Sequence, residues 1–406
     1  VDCSLLESAA PGRYRFHDLV RLYARACADR DEQPAGRADA LDRLLDFYLA
    51  TAARVYAVER PGDRLPAHLS ATRHPGLVLS DPRTALDWLY GEADPLLACA
   101  RQSAGRPKAL RRAVDLLWAA KDLAESGANS KQYESAALVL RDAAHAAQDP
   151  HAEGRARTTL AGVHLIAGRF AEADTEAHRA LDLARRADDP LTGCWAPNDL
   201  GVIALYQNRH EDGERHLIEA LDSFRRVGDQ AGEASALCNL SRIHVSLGRL
   251  DSAIDLARQG IALYDRMGLT LRLANGRYAL GIALTRAGRL PEALDQLGEA
   301  LTLFHDNRQR LWEGVTHFRL AEAHLAAHRP AKAAAHAEQA LALRGIGGEW
   351  RRATTLVVLG RALQLLGQPD RARTCWLEAL DIFEPLGVPE AEPVRHLLGR
   401  TVPFAV

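Results

Sequence analysis

No stretch of this 406-residue chain approaches the ~18 consecutive apolar residues of a membrane-spanning helix, and no secretion signal opens it. Paired cysteines are equally absent. Cys3, Cys27, Cys99, Cys194, Cys238 and Cys375 stand apart, which argues against a zinc site and a disulfide framework and for a reducing, cytoplasmic setting. Charge of one sign is missing too: a net charge of −2 gives no overall field to hold nucleic acid or an anionic membrane. The phosphate-cradling Gly-Lys-Ser/Thr loop, His-Glu-x-x-His and the nucleophile elbow do not occur, so no complete nucleotide pocket is expected and an enzyme is the remote reading. The chain lacks an initiator Met and begins within sequence that reads as structured, as expected of a piece of a larger protein.

What is present is repetition. Gly168, Asn208, Gly248, Gly288, His328 and Gly367 each occupy the second position of a four-residue turn, and they lie 40, 40, 40, 40 and 39 residues apart. Ahead of each turn stands a Leu-small pair: Leu160-Ala161, Leu200-Gly201, Leu240-Ser241, Leu280-Gly281, Leu320-Ala321 and Leu359-Gly360. After each turn comes a small residue (Ala173, Gly213, Ala253, Ala293, Ala333, Ala372) and then a second (Ala180, Ala220, Gly260, Ala300, Ala340, Ala379). Between these marks apolar residues recur three and four apart, the helical period. The pattern predicts two helices per unit, with small residues where they cross and a left-handed residue at the turn.

These residues resemble the tetratricopeptide repeat, whose usual unit has about 34 residues. The resemblance implies an all-α, right-handed superhelix of stacked helix pairs. The 40-residue period here predicts a longer second helix, because the extra residues follow the late Ala. HEAT and armadillo repeats have periods near 40, but no helix-kinking Pro recurs in these units.

Ahead of the repeats, residues 1–32 read as a hairpin, with strands at 4–8 and 13–16, followed by a helix with Asp18 as N-cap. The run Phe16-His17-Asp18-Leu19, continued by Val20-Arg21-Leu22-Tyr23-Ala24, resembles the end of the winged-helix subdomain of STAND-class signalling ATPases. It is most similar to bacterial regulators of the Streptomyces antibiotic regulatory protein (SARP) type. That resemblance implies that His17 senses a bound nucleotide in a full-length protein, with ADP or ATP held by an upstream domain. The residue-level alternative is an exposed His17 beside a helix cap. Residues 33–105 read as a helical connector interrupted by an irregular stretch at 59–82, either a strap packed on helices or a flexible linker. Residues 106–150 read as a degenerate capping pair, 151–388 as the six repeats, and 389–406 as a capping helix and tail whose polar face carries Glu390, Glu392, Arg395 and His396.

Carried over from the family, the concave wall includes Arg155 and Thr158; Trp195, Asn198, Val202 and Tyr206; Ser235, Cys238, Asn239 and Arg242; Asn275, Tyr278 and Ile282; Val315, Phe318 and Glu322; and Arg361. Aromatic and Arg side chains are frequent interface anchors, Asn amides can hold a peptide backbone, and Arg155 and Arg242 suit a carboxylate. Others of these side chains are expected to pack against adjacent helices. The Lys residues of the family's peptide-clamping members are missing, which weighs against a terminal-carboxylate clamp. His164, His244 and His324 recur in alternate units, too far apart to share a metal. The resulting expectation is a sensor or interaction module of a transcription regulator. It would bind a peptide, a protein partner, the regulator's own upstream domains or a small effector, with no cofactor, metal, membrane or DNA contact of its own. The alternative is an assembly scaffold that senses nothing.

Overall fold

The computed structural model describes residues 6–10, 13–127, 129–343 and 347–400. Strands β1 (Leu6–Ala10) and β2 (Arg13–Phe16) pair antiparallel, Leu6 opposite Phe16 and Glu7 opposite Arg15. Residues 4 and 5 of the predicted first strand, and residues 11 and 12 of its turn, lie outside the described residues. Helix α1 (Asp18–Asp31) follows, and His17, not Asp18, is its N-cap. Asp18 is the first helical residue, where its carboxylate pairs with Arg21 at 3.1 Å and faces the positive end of the helix dipole.

Six further helices precede the repeats: α2 (Pro34–Glu59), α3 (Pro82–Gly91), α4 (Ala93–Ser103), α5 (Pro107–Ala119), α6 (Asp122–Glu125) and α7 (Ser130–Ala146). Three of them open on proline, whose fixed φ and missing N–H suit the first turn. Residues 59–82 are a packed strap, not a free linker. The Asp46 carboxylate of α2 accepts from Arg73 N and His74 N at 2.7 and 2.6 Å, and the Asp115 carboxylate of α5 accepts from Ser70 N at 2.7 Å. Gly76, at φ +73°, lies so close to α2 that a Cβ would stand 2.8 Å from the Ala50 carbonyl carbon.

Twelve helices form the six units: α8 (Pro150–Ala167) with α9 (Phe170–Ala187), α10 (Pro190–Tyr206) with α11 (His210–Val227), α12 (Gln230–Ser246) with α13 (Leu250–Arg266), α14 (Thr270–Arg286) with α15 (Leu290–Asp306), α16 (Arg310–Ala326) with α17 (Pro330–Ala342), and α18 (Gly348–Leu365) with α19 (Pro369–Leu386). Helix α20 (Ala391–Arg400) covers the end, burying Val394 and Leu398.

Each predicted turn residue has positive φ: Gly168 +77°, Asn208 +57°, Gly248 +73°, Gly288 +75°, His328 +54° and Gly367 +72°. A second series, Gln148, Asp188, Gly228, Gly268 and Arg308, does the same between units. From α7 to α16 a left-handed residue thus follows each helix, about twenty residues after the last. The first helices, at 17 or 18 residues, are as long as the second ones, so the added length is shared and not confined to the second helix as the sequence predicted. The crossings are as tight as their small residues imply. Ala161, Ala173, Ala253, Ala293 and Ala333 are fully buried, and a Cβ on Gly281 would stand 2.6 Å from Leu297 Cγ.

The superhelix closes on itself. Gly348, at the start of unit six, packs on the Ala167 carbonyl at the end of α8, and Trp350 covers Gly168. Leu311 N donates to Ser126 O at 3.2 Å, and Arg308 pairs with Asp87 at 2.5 Å, so the helices before the repeats brace the opening between units four and five.

Candidate functional site

Closure turns the concave wall into the lining of a chamber. Its larger part, about 590 Å³, lies among Tyr206, Arg242, Ile282, Arg286, Arg319, Glu322, Trp350, Arg361 and Glu390. An adjoining part of about 330 Å³ shares Tyr206, Arg319 and Trp350 and adds Lys131, Arg310, Val315, Phe318 and Arg351. Both volumes fall in the range of small-ligand sites. Tyr206, last residue of α10, is the hinge between them. Its ring stacks on Phe170 at 5.1 Å and meets Trp350 edge-on at 5.4 Å. Its hydroxyl accepts from Arg242 Nη2 at 2.9 Å, and the Arg351 guanidinium lies 5.6 Å from the ring centre. Burial pushes the Tyr206 phenol up, but Arg242, Arg351 and Arg319 outweigh it and bring it down to about 7.

Seven of the residues expected on the wall line these two cavities: Tyr206, Arg242, Ile282, Glu322 and Arg361 the larger, and Val315 and Phe318 the smaller. Asn239 joins the network, donating to Asn198 Oδ1 at 3.0 Å while its own Oδ1 accepts from Arg242 at 3.4 Å. The Asn275 carbonyl oxygen is buried without a partner. Thr158 and Trp195 line a separate cavity of about 130 Å³, where Lys121 stands over the Trp195 ring at 5.0 Å and burial raises the Asp199 carboxyl to about 7.

Other expected wall residues are spent inside the fold. The Arg155 guanidinium is buried between Asp115 at 2.6 Å and Asp189 at 2.9 Å, and also donates to His68 O. It binds carboxylates, as its type suggested, but they are the chain's own. Cys238 packs against Gly260, and burial pushes its thiol up to about 12. Tyr278 is buried beside Trp312, its hydroxyl accepting from Arg319 Nε at 3.3 Å. Val202 is buried, and Ser235 half-buried on α12 lines none of these three cavities. His17 is exposed next to the hairpin.

Several chamber residues were not anticipated, among them Arg319, Trp350 and Arg351. Arg319 sits one residue before the Leu of its Leu-small pair, the register position of Asn239, so the signal was there. Trp350 and Arg351 lie in the first turn of α18, outside the groove register, and only closure brings them in.

Comparison with known proteins agrees with this architecture. A family model described as tetratricopeptide repeat matches residues 194–266 and 272–345, and a second of the same description matches 352–384. The regulatory protein AfsR of Streptomyces griseus is 58% identical over 402 residues, covering 98% of this chain and 40% of its own length. AfsR of Streptomyces coelicolor is 59% identical over 406 residues, 99% of this chain and 41% of its own. The chain therefore spans about two fifths of these relatives. Among solved structures, a Rap protein complexed with competence and sporulation factor aligns with a TM-score of 0.56 and 11% identity over 78% of this chain and 95% of that one, a likeness of fold alone. NprR in complex with its cognate peptide NprX aligns with a TM-score of 0.48 and 13% identity, over 76% of this chain and 82% of that one. The chain carries tetratricopeptide repeats and is related over nearly its whole length to part of AfsR, a regulatory protein of the SARP and STAND type.

Proposed function

We propose that this chain is the sensing and docking module of a transcription regulator, receiving a peptide-like segment from a partner or from the regulator's own upstream domains on its inner wall. The observation that carries the reading is a set of buried polar atoms on inner helices with no hydrogen-bond partner among the described residues: Asn275 Oδ1, Trp350 Nε1 and Arg351 Nε. A buried donor or acceptor left unpaired costs about 1–3 kcal/mol, and a bound segment would relieve that cost. The Rap protein of like fold is complexed with competence and sporulation factor, which supports a peptide-like occupant.

In this reading DNA binding and ATP hydrolysis belong to parts of the regulator outside this chain, which acts in the cytoplasm without cofactor, metal or catalysis of its own. The hairpin and α1 are the end of a winged helix, and His17 reaches a nucleotide only when the rest of that domain is present. Labelled ADP should show no submicromolar binding to this chain alone.

The scaffold reading has an observation of its own. Tyr14, Phe16, Leu19, Leu22 and Tyr23 are exposed apolar side chains on the hairpin and α1, and none of them lines the chamber. A pull-down separates the two. The remainder of the 59%-identical relative is supplied as a separate chain and captured with wild type or with the Arg242→Ala, Phe318→Ala double variant. Loss of capture by the variant is the expected result; equal capture by both would move the contact to the outer faces.

A further inference from the structure

The chamber's composition points to its occupant more narrowly than a peptide groove would. Cationic side chains lining the two adjoining cavities outnumber the three acidic ones, Glu322, Glu349 and Glu390, in a chain whose net charge is only −2. Two of those acids are already taken: Arg319 Nη1 holds Glu322 at 2.7 Å, and Arg352 reaches Glu349 at 3.5 Å. Arg242 is buried, and among the described residues its guanidinium donates to the Tyr206 hydroxyl and the Asn239 amide oxygen and meets no carboxylate. Arg351 faces the same tyrosine with its Nε buried and unpartnered, and the neighbouring Trp350 Nε1 is in the same condition. A guanidinium withdrawn from water without a counter-charge is costly, and an oxyanion accepting from its fork removes that cost. Aromatic and aliphatic side chains share the lining: Tyr206, Trp350, Phe318 and Val315.

We infer that the chamber is the site of a small effector that carries an oxyanion, a carboxylate or a phosphate monoester, on a flat apolar body. Arg242 and Arg351 take the oxyanion, Trp350 Nε1 supplies a further donor, and the body lies against the aromatic wall. Such a molecule touches units two, three, five and six at once, because Tyr206, Arg242, Arg319 and Trp350 come from α10, α12, α16 and α18. It therefore ties the ring shut and controls access of any segment to the inner wall. The inference rests on the inner wall being the binding face of a regulatory module, but it specifies different chemistry from the docked segment. The depressed phenol of Tyr206 accords with it, since two of the three cations that lower it, Arg242 and Arg351, are those assigned to the anion.

The test uses the 406-residue chain and three probes of similar shape: phenyl phosphate, phenylacetate and the neutral phenylacetamide. Calorimetry should show saturable binding of at least one anion and none of the amide, and the better anion tells a phosphate ester from a carboxylate. An Arg351→Gln variant, folded by circular dichroism, should bind at least about tenfold more weakly, a loss of about 1.4 kcal/mol. A readout independent of affinity is the near-ultraviolet tyrosinate titration. The transition lost in Tyr206→Phe should move to higher pH when the anion binds, because the arginines are then neutralised. Equal binding of the amide, absence of saturable binding by both anions, or no effect of Arg351→Gln would each overturn the inference. If the anions fail while the Arg242→Ala, Phe318→Ala variant still loses its partner in the pull-down, docking stands and the effector site falls. If the anions bind while the pull-down is unaffected, the reverse holds.

Discussion

At the scale of single residues, the small side chains at helix crossings carry the most stringent demand. Ala293 is fully buried where α15 meets α14, against Leu280, Ala283 and Leu284. Ala293→Trp should cost at least about 1–3 kcal/mol through overpacking, and in a nearest-neighbour array hydrogen exchange should rise first in units four and five. Unchanged melting and exchange would show that the crossing has been misplaced. His324 makes a different demand. Its ring stacks on His336 at 5.3 Å, and His336 Nδ1 lies 3.0 Å from His317 Nδ1. Burial first, then His336, Lys332 and Arg329, bring the His324 imidazole down to about 4. The folded chain thus keeps this ring neutral at a pH where the unfolded chain protonates it. The unfolded state binds more protons between about pH 6.5 and 4, so stability is lost as pH falls through that window. The effect is of the order of 1 kcal/mol after allowance for solvent around the ring. Denaturant midpoints of wild type and His324→Gln should therefore differ in opposite directions, or by unequal amounts, at pH 7 and pH 5. A constant difference would exclude the coupling.

At the scale of elements, the ties between segments are made by buried charges. Arg155 joins three of them, bonding the strap through His68 O, α5 through Asp115 and the start of α10 through Asp189. Arg155→Leu leaves two buried carboxylates without their cation, and the expected loss is about 3–5 kcal/mol. Residues 65–76 of the strap should gain exchange protection last on refolding and lose it first in the variant. A melting temperature close to wild type would mean that the strap is held by packing alone. This tie also shows where sequence reasoning stops. Gly168, Asn208 and His328 could be read as left-handed turn residues because turn chemistry is local. Arg155 could be placed on an inner helix by register, but what it faces depends on Asp115, 40 residues away on α5 and outside the 40-residue repeats. Cys238 and Tyr278 fall under the same difficulty: the groove register names the face of the helix, whereas burial depends on how closely the next unit leans on it. The strap's packing on Asp46 was undecidable for the same reason, since its partners lie 27 and 28 residues off.

At the scale of the whole molecule, closure decides what the inner wall can do, and it is the feature least visible in the residues. A ring arises from small rotations summed over many units, and no single residue encodes the sum. The contact that completes it is nevertheless narrow. A Cβ on Gly348 would stand 2.7 Å from the Ala167 carbonyl carbon, a backbone atom that cannot swing aside. Gly348→Val should therefore force unit six away from α8, with Trp350 leaving Phe170 and Tyr206 and its emission moving to the red. Gly348 also has φ +78°, so any side chain there is strained by about 1–2 kcal/mol whatever it meets. Gly248→Val is the matching control, because Gly248 has φ +73° and nothing within 4 Å of its Cβ position. Both variants should lose comparable stability from backbone strain, but only Gly348→Val should raise the radius of gyration in X-ray scattering and weaken the anion probes. If the two variants scatter alike, the ring does not depend on this contact, and the chamber must be held by the Arg308–Asp87 and Leu311–Ser126 ties across the opposite side.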